Sequence, residues 1–376
     1  DKDYKREINP EAISFFFTFG YVPWPQTLFK DIYHLPPGHV LICTKSSVTI
    51  KPYWHFSYED PIFRTEAQYI DEFFSLLLEA VKIRLQGIAV PASFLSGGLD
   101  SSSVVCLLRK ITDSKIRTFT GAFEEEEFNE APIAQKVAQY FDTEHHEILI
   151  KGNMVKEILP DIIWYTDQPF FDSSSIATYY VSKFAGKYTD VIFDAHGPDQ
   201  TLGGFSFYFL PRLYQLRRSP FPEPIRKLLA KRFKWYKLRP LSQRILLERS
   251  IFPKELKRKL FCPELLRSEK VVEEYISQSL MPVCARNITE RLLYWDLIHD
   301  IHDDLLVKVD RMTSPAGLSV KMPFLDVKIL ELIATMPVQL KVRKDRDFGL
   351  KYILRKGMEP CLPEVVLNKP KDGMSV

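Results

Sequence analysis

One run of six residues, Ser96-Gly97-Gly98-Leu99-Asp100-Ser101, combines backbone and side-chain groups that suit a bound phosphate. The two glycines let the backbone approach an anion closely, and the helix expected after them offers N–H groups at its positive end. Ser96 and Ser101 add hydroxyl donors, whereas Asp100 would repel phosphate unless a cation lay between them, so it implies Mg²⁺. An ordinary capped turn is the alternative, but the position between an apolar strand and a helix favours phosphate binding.

A second carboxylate stands in a comparable position further along the chain. Asp199 belongs to Gly197-Pro198-Asp199-Gln200, which follows an apolar run at 190–194. If both runs end strands of one sheet, Asp100 and Asp199 could each hold a Mg²⁺ ion against the phosphates of ATP. An aspartate that caps a turn is the alternative interpretation of Asp199.

The elements that must position these residues alternate between strands and helices. Short apolar runs predict strands at 88–95, 117–123, 147–150 and 190–194, and helical spacing predicts helices at 67–86, 102–110 and 131–141. This order predicts an α/β fold with a doubly wound parallel sheet, in which ligands bind beyond the carboxyl ends of the strands. Both glycine-containing turns fall at such ends, and the chain is expected to be largely helical after residue 206.

Composition limits the classes of protein that need to be considered. The chain of 376 residues is 45% hydrophobic and 26% charged, which is typical of a globular protein with room for two domains. Its net charge of +3 is too small to predict nucleic-acid binding, and no apolar run approaches the ~20 residues of a membrane-spanning helix. The five scattered cysteines form no CxxC pair, which favours free thiols in a reducing cytoplasm.

The stretch 212–239 is basic and aromatic, and two interpretations of it stay open. It contains ten Lys or Arg residues and a single acid, Glu223, with aromatic residues between them. Such a stretch could bind a peptide or a nucleic acid. A pair of exposed helices is the more ordinary interpretation, and we favour it.

The six-residue run resembles the pyrophosphate loop of the N-type ATP pyrophosphatases, which cleave ATP to AMP and pyrophosphate while they activate a substrate. Further motifs, in order along nearly the whole chain, are similar to those of the asparagine synthetases. They are Phe19-Gly20-Tyr21-Val22-Pro23, Leu35-Pro36-Pro37-Gly38-His39, Gly197-Pro198-Asp199-Gln200 with Gly203-Gly204-Phe205, Asp304 to Met312, Pro323-Phe324-Leu325-Asp326 and Lys351-Tyr352-Ile353-Leu354-Arg355.

This resemblance implies a role for several residues. Lys351 matches a lysine that, in the family, stabilises the charged transition states of adenylylation and of amide formation. Arg311 stands where the family has a cation near the phosphates, although a surface ion pair is the alternative. Asp100 and Asp199 are implied as Mg²⁺ ligands. The residues implied in binding ATP are Leu95, Ser96, Gly97, Gly98, Leu99, Asp100, Ser101 and Gly197.

Four positions depart from the family pattern. Ser319 replaces a glutamate and Lys321 an arginine, while Gln200 stands in place of the glutamate of G-x-D-E. The position three before Asp199 is glutamate in asparagine synthetases and tyrosine in β-lactam synthetases, where the tyrosine and the glutamate missing here deprotonate an amine. Here it is His196, a residue type that can accept a proton near neutral pH. A structural turn histidine is the alternative.

The resemblance also predicts how the chain is organised. Residues 1–60 are expected to be a linker and remnant that follow a missing N-terminal glutaminase-like domain, and residues 61–376 to form the synthetase domain. The expected activity is ATP-dependent amide formation through an acyl-adenylate, most simply asparagine from aspartate with nitrogen from glutamine or ammonia. The expected cofactors are ATP and Mg²⁺, and the expected partner is a small-molecule carboxylate or a peptide.

Two other functions stay open. One is an amide-forming synthetase of secondary metabolism, such as a macrolactam, lasso-peptide or β-lactam synthetase, and the four departures favour it. The other is a degenerate nucleotide-binding protein without catalytic activity, which the presence of Asp100, Asp199 and Lys351 disfavours. Neither a membrane nor a nucleic acid is expected as a partner.

Overall fold

A computed structural model describes residues 5–59, 63–205, 239–281, 284–343 and 349–369. The basic stretch 212–239 lies outside these ranges except for its last residue, Arg239. The chain divides into two compact units. The first is made of Asp1–Tyr58, Gln168–Phe171 and Phe205–Asp304, and the second of Glu59–Asp167, Asp172–Gly204 and Leu305–Val376. Every residue implied in catalysis, in ATP binding or in metal binding belongs to the second unit.

Strands and helices are interspersed up to residue 204, and the described chain is mainly helical after it. The strands are β1 (His39–Cys43), β2 (Val48–Pro52), β3 (Ala92–Phe94), β4 (Arg117–Phe123), β5 (Glu144–Ile150), β6 (Val191–Phe193) and β7 (Ser319–Lys321). The helices are α1 (Pro10–Phe19), α2 (Glu66–Leu85), α3 (Leu99–Ile111), α4 (Ala131–Tyr140), α5 (Gly152–Thr166), α6 (Ser174–Ala185), α7 (Pro198–Thr201), α8 (Leu241–Arg249), α9 (Lys254–Leu260), α10 (Pro263–Ser279), α11 (Ile288–Trp295), α12 (Leu306–Thr313), α13 (Val327–Thr335), α14 (Val338–Lys341), α15 (Tyr352–Met358) and α16 (Glu364–Leu367).

The first unit combines a hairpin with helices. Strands β1 and β2 pair antiparallel and form the hairpin. Helix α1 begins at a Pro after Asn9, whose side chain accepts the N–H of Glu11, and it ends at the left-handed Gly20. Its phenylalanines pack with residues of α8, α10 and α11 in one apolar core. No helix in the described ranges is long and apolar enough to cross a membrane.

The second unit is built on a parallel sheet of five strands in the order β5-β4-β3-β6-β7. The chain runs outward from β3 to β4 and β5, and then returns to place β6 on the other side of β3. The strand order therefore reverses between β3 and β6, which is where parallel sheets bind ligands at the carboxyl ends of their strands. This arrangement confirms the predicted α/β fold with a doubly wound parallel sheet.

Several predicted boundaries were wrong. Helix α3 begins at Leu99 rather than at residue 102, because the extended Gly98 caps it and accepts the N–H of Ser102 at 3.0 Å. Asp100 and Ser101 are therefore part of the first helical turn. Strand β7 was not predicted from the sequence. Its three residues carry no apolar pattern, and they form a strand only by pairing with β6.

Helix α2 anchors the part of the unit that carries Lys351. It is capped reciprocally by Thr65 and Gln68, and it buries an apolar face in the main core. Helix α15 lies so close to it that a Cβ on Gly357 would come within 1.9 Å of the Phe74 ring. The first residue of α15, Tyr352, donates its hydroxyl to Glu66 of α2 at 2.6 Å. The backbone just after Lys351 is thus fixed to α2 at two points.

Candidate active site

The loop between β3 and α3 is held in its turn by its own serines. The hydroxyl of Ser101 accepts the N–H of Ser96 at 3.2 Å and lies 3.1 Å from the Ser96 hydroxyl. The Ser96 hydroxyl accepts the N–H of Gly98 at 3.3 Å. Just before the loop, the buried Leu95 donates its N–H to Phe119 of β4 at 3.0 Å. The loop is therefore fixed at the carboxyl end of β3.

Gly97 has no room for a side chain. Its φ of +71° lies in the left-handed region, and a Cβ there would come within 2.7 Å of the backbone nitrogen of Ala134 in α4. Helix α4 thus packs directly against the loop backbone. The first N–H groups of α3, beginning at Leu99, have no acceptor within their own helix. A glycine loop that leads into a helix N-terminus is an arrangement that binds phosphate groups in many proteins.

Asp100 and Asp199 meet at the ammonium group of Lys351. Asp100 lies in the first turn of α3 after β3, and Asp199 lies in α7 after β6. The Lys351 nitrogen is 2.7 Å from Oδ1 of Asp199 and also donates a hydrogen bond to Oδ2 of Asp100. Carboxylates from either side of the point where the strand order reverses therefore converge on one cation.

Lys351 is buried and remains charged. Only 4% of the residue is exposed. Burial favours the neutral amine, but the two carboxylates outweigh it and raise the pKa of Lys351 to about 12. The lysine adopts the left-handed backbone conformation, with φ 50° and ψ 42°, at the residue that precedes α15. This conformation is uncommon for a residue other than glycine and typical of functional sites.

Two glycines let Asp199 approach the lysine. A Cβ on Gly204 would lie 1.7 Å from Oδ1 of Asp199 and 2.5 Å from Cε of Lys351. Gly197 has a φ of +122°, and a Cβ on it would lie 2.6 Å from Cδ2 of Leu325. The implied ATP-binding role of Gly197 remains a prediction. Its evident structural role is the sharp turn that connects β6 to α7.

The two carboxylates fit a magnesium ion that arrives with a nucleotide. Magnesium prefers oxygen ligands, and it is commonly held by one or two carboxylates together with phosphate oxygens and water. Asp100 and Asp199 both contact the ammonium group of Lys351, so their oxygens lie close enough together to bind one cation. Within the described ranges, no group of three or more His, Cys, Asp or Glu residues could hold a metal.

His196 is bound to a carboxylate that the sequence analysis did not single out. One oxygen of Asp194, at the end of β6, accepts the backbone N–H of His196 at 2.7 Å and also contacts its ring nitrogen Nδ1. Asp194 is 3% exposed. Burial by itself opposes ionisation, yet the contacts with His196 and the nearby Lys308 charge lower the pKa of Asp194 below its usual value. Asp194 is therefore a buried, ionised carboxylate.

Lys308 belongs to the same buried region. Its ammonium group donates to Asp172 and to the hydroxyl of Ser174, both at 2.8 Å. Asp172 also accepts the N–H of Ser174 at 2.8 Å, which fixes the start of α6. Burial opposes ionisation of Asp172, but Lys308 and Ser174 lower its pKa. Helix α12, which carries Lys308, is thus joined to α6 by a buried ion pair.

Three residues that differ from the family pattern, Ser319, Lys321 and Gln200, lie on β7 and α7. Ser319 is exposed at the start of β7, opposite Val191 of β6, and its hydroxyl accepts a hydrogen bond from Lys321 at 3.2 Å. Lys321 lies opposite Phe193, and its carbonyl accepts the N–H of Asp194 at 2.9 Å. Gln200 is buried in α7. The acidic partner nearest to the His196 ring thus comes from its own segment and not from β7.

Arg311 does not contact the other implied residues in the described structure. It lies near the end of α12, its side chain is 47% exposed, and its Nε is 3.7 Å from Asp310. This is the surface ion pair that was the alternative interpretation of the sequence. A role for Arg311 near the phosphates stays a prediction.

Sequence reasoning missed Asp194, although a local signal for it exists. Asp194 ends an apolar strand two residues before His196, and an aspartate can accept hydrogen bonds from the backbone two residues on. That pattern would have suggested the backbone contact. It would not have suggested the contact with the ring, which depends on the side-chain conformation of His196.

Comparisons with known proteins agree with the motifs. The profile of the family described as Asparagine synthase matches residues 72–376, and that of the Glutamine amidotransferase domain matches residues 1–54. Asparagine synthetase (glutamine-hydrolyzing) 1 of Bacillus subtilis (strain 168) is 28% identical over 389 residues, which cover 98% of this chain and 59% of that protein. A second relative, from Methanocaldococcus jannaschii, also carries the words asparagine synthetase (glutamine-hydrolyzing) in its name. It is 30% identical over 322 residues, which cover 82% of this chain and 61% of that protein.

The chain spans about three fifths of the length of these curated relatives. Among solved structures, the NH3-dependent NAD synthetase from Campylobacter jejuni is 12% identical with a TM-score of 0.27, and the match covers 57% of this chain and 95% of that one. A TM-score this low supports no inference about function.

Proposed function

The chain belongs to the asparagine synthase family of carbon–nitrogen ligases, and we propose that it uses ATP to join a carboxylate to nitrogen as an amide. The proposed route activates the carboxylate as an acyl-adenylate with release of pyrophosphate, and a nitrogen nucleophile then displaces AMP. The family assignment supports ATP-dependent amide formation. The route through AMP rests on the resemblance of the loop Ser96–Ser101 to the pyrophosphate loop of the N-type ATP pyrophosphatases.

One observation carries the proposal, namely that Asp100, Asp199 and Lys351 converge at the reversal of the strand order. A loop that suits phosphate, two carboxylates that suit magnesium and a buried lysine are together suited to ATP. A positive charge held in a dry site stabilises the negative charge that develops when the bond to pyrophosphate breaks. We assign that role to Lys351.

The other residues of the site have binding roles in this proposal. The loop from Leu95 to Ser101 holds the pyrophosphate portion of ATP through its backbone and hydroxyl donors. Asp100 and Asp199 hold Mg²⁺, which when bound would offset the charge of the phosphates. Asp199 depends on Gly204 for its place beside Lys351.

The test is exchange of labelled pyrophosphate into ATP by the purified protein, with Mg²⁺ and L-aspartate as the first carboxylate tried. Exchange that requires the carboxylate is the expected result. Release of ADP and phosphate in place of AMP and pyrophosphate would overturn the acyl-adenylate route. Binding of ATP with no turnover under a panel of carboxylates would instead favour a degenerate nucleotide-binding protein.

Glutamine or ammonia is the first candidate source of nitrogen, and it would make asparagine from aspartate. The match of residues 1–54 to the glutamine amidotransferase domain supports it. In this case a glutaminase domain would supply ammonia to the synthetase site. The measurement is asparagine formation from aspartate, ATP and either glutamine or ammonium.

A substrate amine is the second candidate, and the contact between Asp194 and His196 favours it. The product would then be an amide between two substrates or within one, as in the amide-forming synthetases of secondary metabolism. An amine that arrives protonated needs a group to remove its proton, whereas free ammonia does not. This difference can be tested on the residues themselves.

A further inference from the structure

Asp194 fixes both the backbone and the ring of His196. A single carboxylate oxygen accepts the N–H of His196 at 2.7 Å and contacts Nδ1 of its imidazole. The N–H of Asp194 is bound in turn to the carbonyl of Lys321 in β7 at 2.9 Å. The acid therefore holds the ring from a position that is itself fixed in the sheet.

The charge of Asp194 determines which ring nitrogen carries the proton. An ionised carboxylate can only accept hydrogen bonds, so the Nδ1 in contact with it must be the donor. In the neutral ring the lone pair then lies on Nε2. Among the described residues, no hydrogen bond occupies Nε2, and the side chain is 25% exposed. His196 is thus arranged to take a proton at Nε2.

The groups around Asp194 keep it ionised. His196 is its nearest hydrogen-bonding partner, and the positive charge of Lys308 in α12 also helps to lower the pKa of the Asp194 carboxyl. Lys308 is held in place by Asp172 and Ser174. The His196 imidazole therefore contacts a carboxylate whose own position is fixed in the sheet.

We propose that Asp194 is a positioning residue that holds His196 as a general base, and that the nitrogen donor at this site is an amine that arrives protonated. The proposal rests on the proposed amide-forming function. An alkylamine with a pKa near that of lysine, about 10.4, is neutral in only about one molecule in 10³ at pH 7. A base in the site can deprotonate the bound amine, so the reaction does not depend on the small neutral fraction in solution.

The step that the pair serves can be written in full. Nε2 of His196 takes one proton from the ammonium group of the donor, and the freed lone pair attacks the acyl carbon. The C–N bond forms, and the C–O bond to AMP breaks with its electron pair on the AMP phosphate. The second proton lost from nitrogen passes to solvent. The products are the amide, AMP and two protons, one of which is on His196.

The positioning role is tested without any substrate. The variant Asp194→Asn keeps the shape of the acid, but its amide can donate to Nδ1, which would move the ring proton to Nε2. We would label the histidines with ¹⁵N and record their two-bond ¹H–¹⁵N correlations in alkaline buffer, assigning His196 by its loss in His196→Gln. We expect the Nδ1–H tautomer in the unmodified protein and the Nε2–H tautomer in Asp194→Asn. The matched control is Asp190→Asn, an exposed aspartate beside the same strand, which should leave the tautomer unchanged.

An Nε2–H tautomer in the unmodified protein, or the same tautomer in the protein and in Asp194→Asn, would overturn the positioning role.

The base role has a separate test with ATP, Mg²⁺ and L-aspartate as probes. Methylamine is protonated at neutral pH and needs the base, whereas hydroxylamine is largely neutral and does not. In Asp194→Asn we expect amide formation from methylamine to fall about 10²-fold or more while hydroxamate formation is unchanged.

The outcomes of this second test are distinct. Equal losses with both donors, or no loss with either, would refute the base role. Failure of the unmodified protein to cleave ATP to AMP and pyrophosphate with any carboxylate would be a failure of the proposed function. The tautomer measurement would still decide whether Asp194 positions His196.

Discussion

The ammonium nitrogen of Lys351 lies 2.7 Å from Oδ1 of Asp199, although 152 residues separate the two along the chain. The same ammonium group reaches Asp100 at the other side of the strand reversal. In this arrangement the lysine neutralises the two carboxylates that we assign to magnesium.

Replacing Lys351 by methionine should reduce turnover far more than ATP binding. Methionine fills the buried space of the lysine stem, so the fold should survive, while the charge that stabilises the transition state is lost. We expect kcat for pyrophosphate exchange to fall about 10²- to 10³-fold, with the Kd for ATP from titration calorimetry changed only a few-fold. The control is Lys356→Met, which replaces an exposed lysine of α15 that pairs with Glu359. A variant with weakened ATP binding and normal kcat would show that Lys351 binds the nucleotide but does not stabilise the transition state.

Replacing Asp100 or Asp199 by asparagine should abolish magnesium-dependent turnover in a folded protein. A neutral amide keeps the size of the side chain but is a poor ligand for Mg²⁺ and no longer pairs with Lys351. Exchange activity should be measured over a range of Mg²⁺ concentrations, with circular dichroism to verify the fold. Asp113→Asn, an exposed aspartate after α3, is the matched control. Normal activity and normal Mg²⁺ dependence in either variant would show that the metal binds elsewhere.

Replacing Gly204 by alanine should disturb the site although no charged residue is replaced. The added Cβ would lie 1.7 Å from Oδ1 of Asp199, so the carboxylate has to leave its place beside Lys351. We expect exchange activity to fall about as far as in Asp199→Asn, and a higher Mg²⁺ concentration to be needed. Gly152→Ala adds the same methyl group where no atom lies within 4 Å and should be active. Full activity in Gly204→Ala would show that the contact between Asp199 and Lys351 is not needed.

Replacing Asp172 by asparagine should lower the free energy of unfolding at pH 7. The change removes the carboxylate that the buried Lys308 ammonium group contacts at 2.8 Å, and loss of one member of a buried pair typically costs about 3–5 kcal/mol. Denaturant unfolding measures the difference. The control is Asp310→Asn, whose exposed pairing with Arg311 should contribute less than about 1 kcal/mol.

The ion pair between Asp172 and Lys308 also predicts how the free energy of unfolding depends on pH. The folded protein lowers the pKa of Asp172 below its ordinary value of 3.8. The stabilisation is therefore complete above about pH 4, and it is lost as the pH falls through the lowered pKa. The difference in unfolding free energy between the protein and Asp172→Asn should shrink in that acid range. A difference that does not vary with pH would mean that Asp172 does not titrate against Lys308.

The sequence was sufficient to predict the fold class, and it singled out most residues of the candidate site. Apolar runs of strand length that alternate with helical spacing predict a parallel α/β sheet, because only helical crossovers connect such strands. The residues from Ser96 to Ser101 predict a phosphate loop, because two glycines flanked by two hydroxyls lie between an apolar strand and a helix. These signals are local, and each depends on residues that are neighbours in the chain.

The tertiary structure alone decided which residues meet. Strand β7 exists only through its pairing with β6, and Lys351 reaches Asp199 only because α15 is anchored to α2 by Tyr352 and Gly357. The partner of His196 is likewise Asp194 rather than a residue of β7. Such contacts depend on backbone turns and packing between segments far apart in sequence. The sequence therefore predicted the chemical groups of this site, while the packing of the sheet and its helices determined which carboxylate lies against which cation.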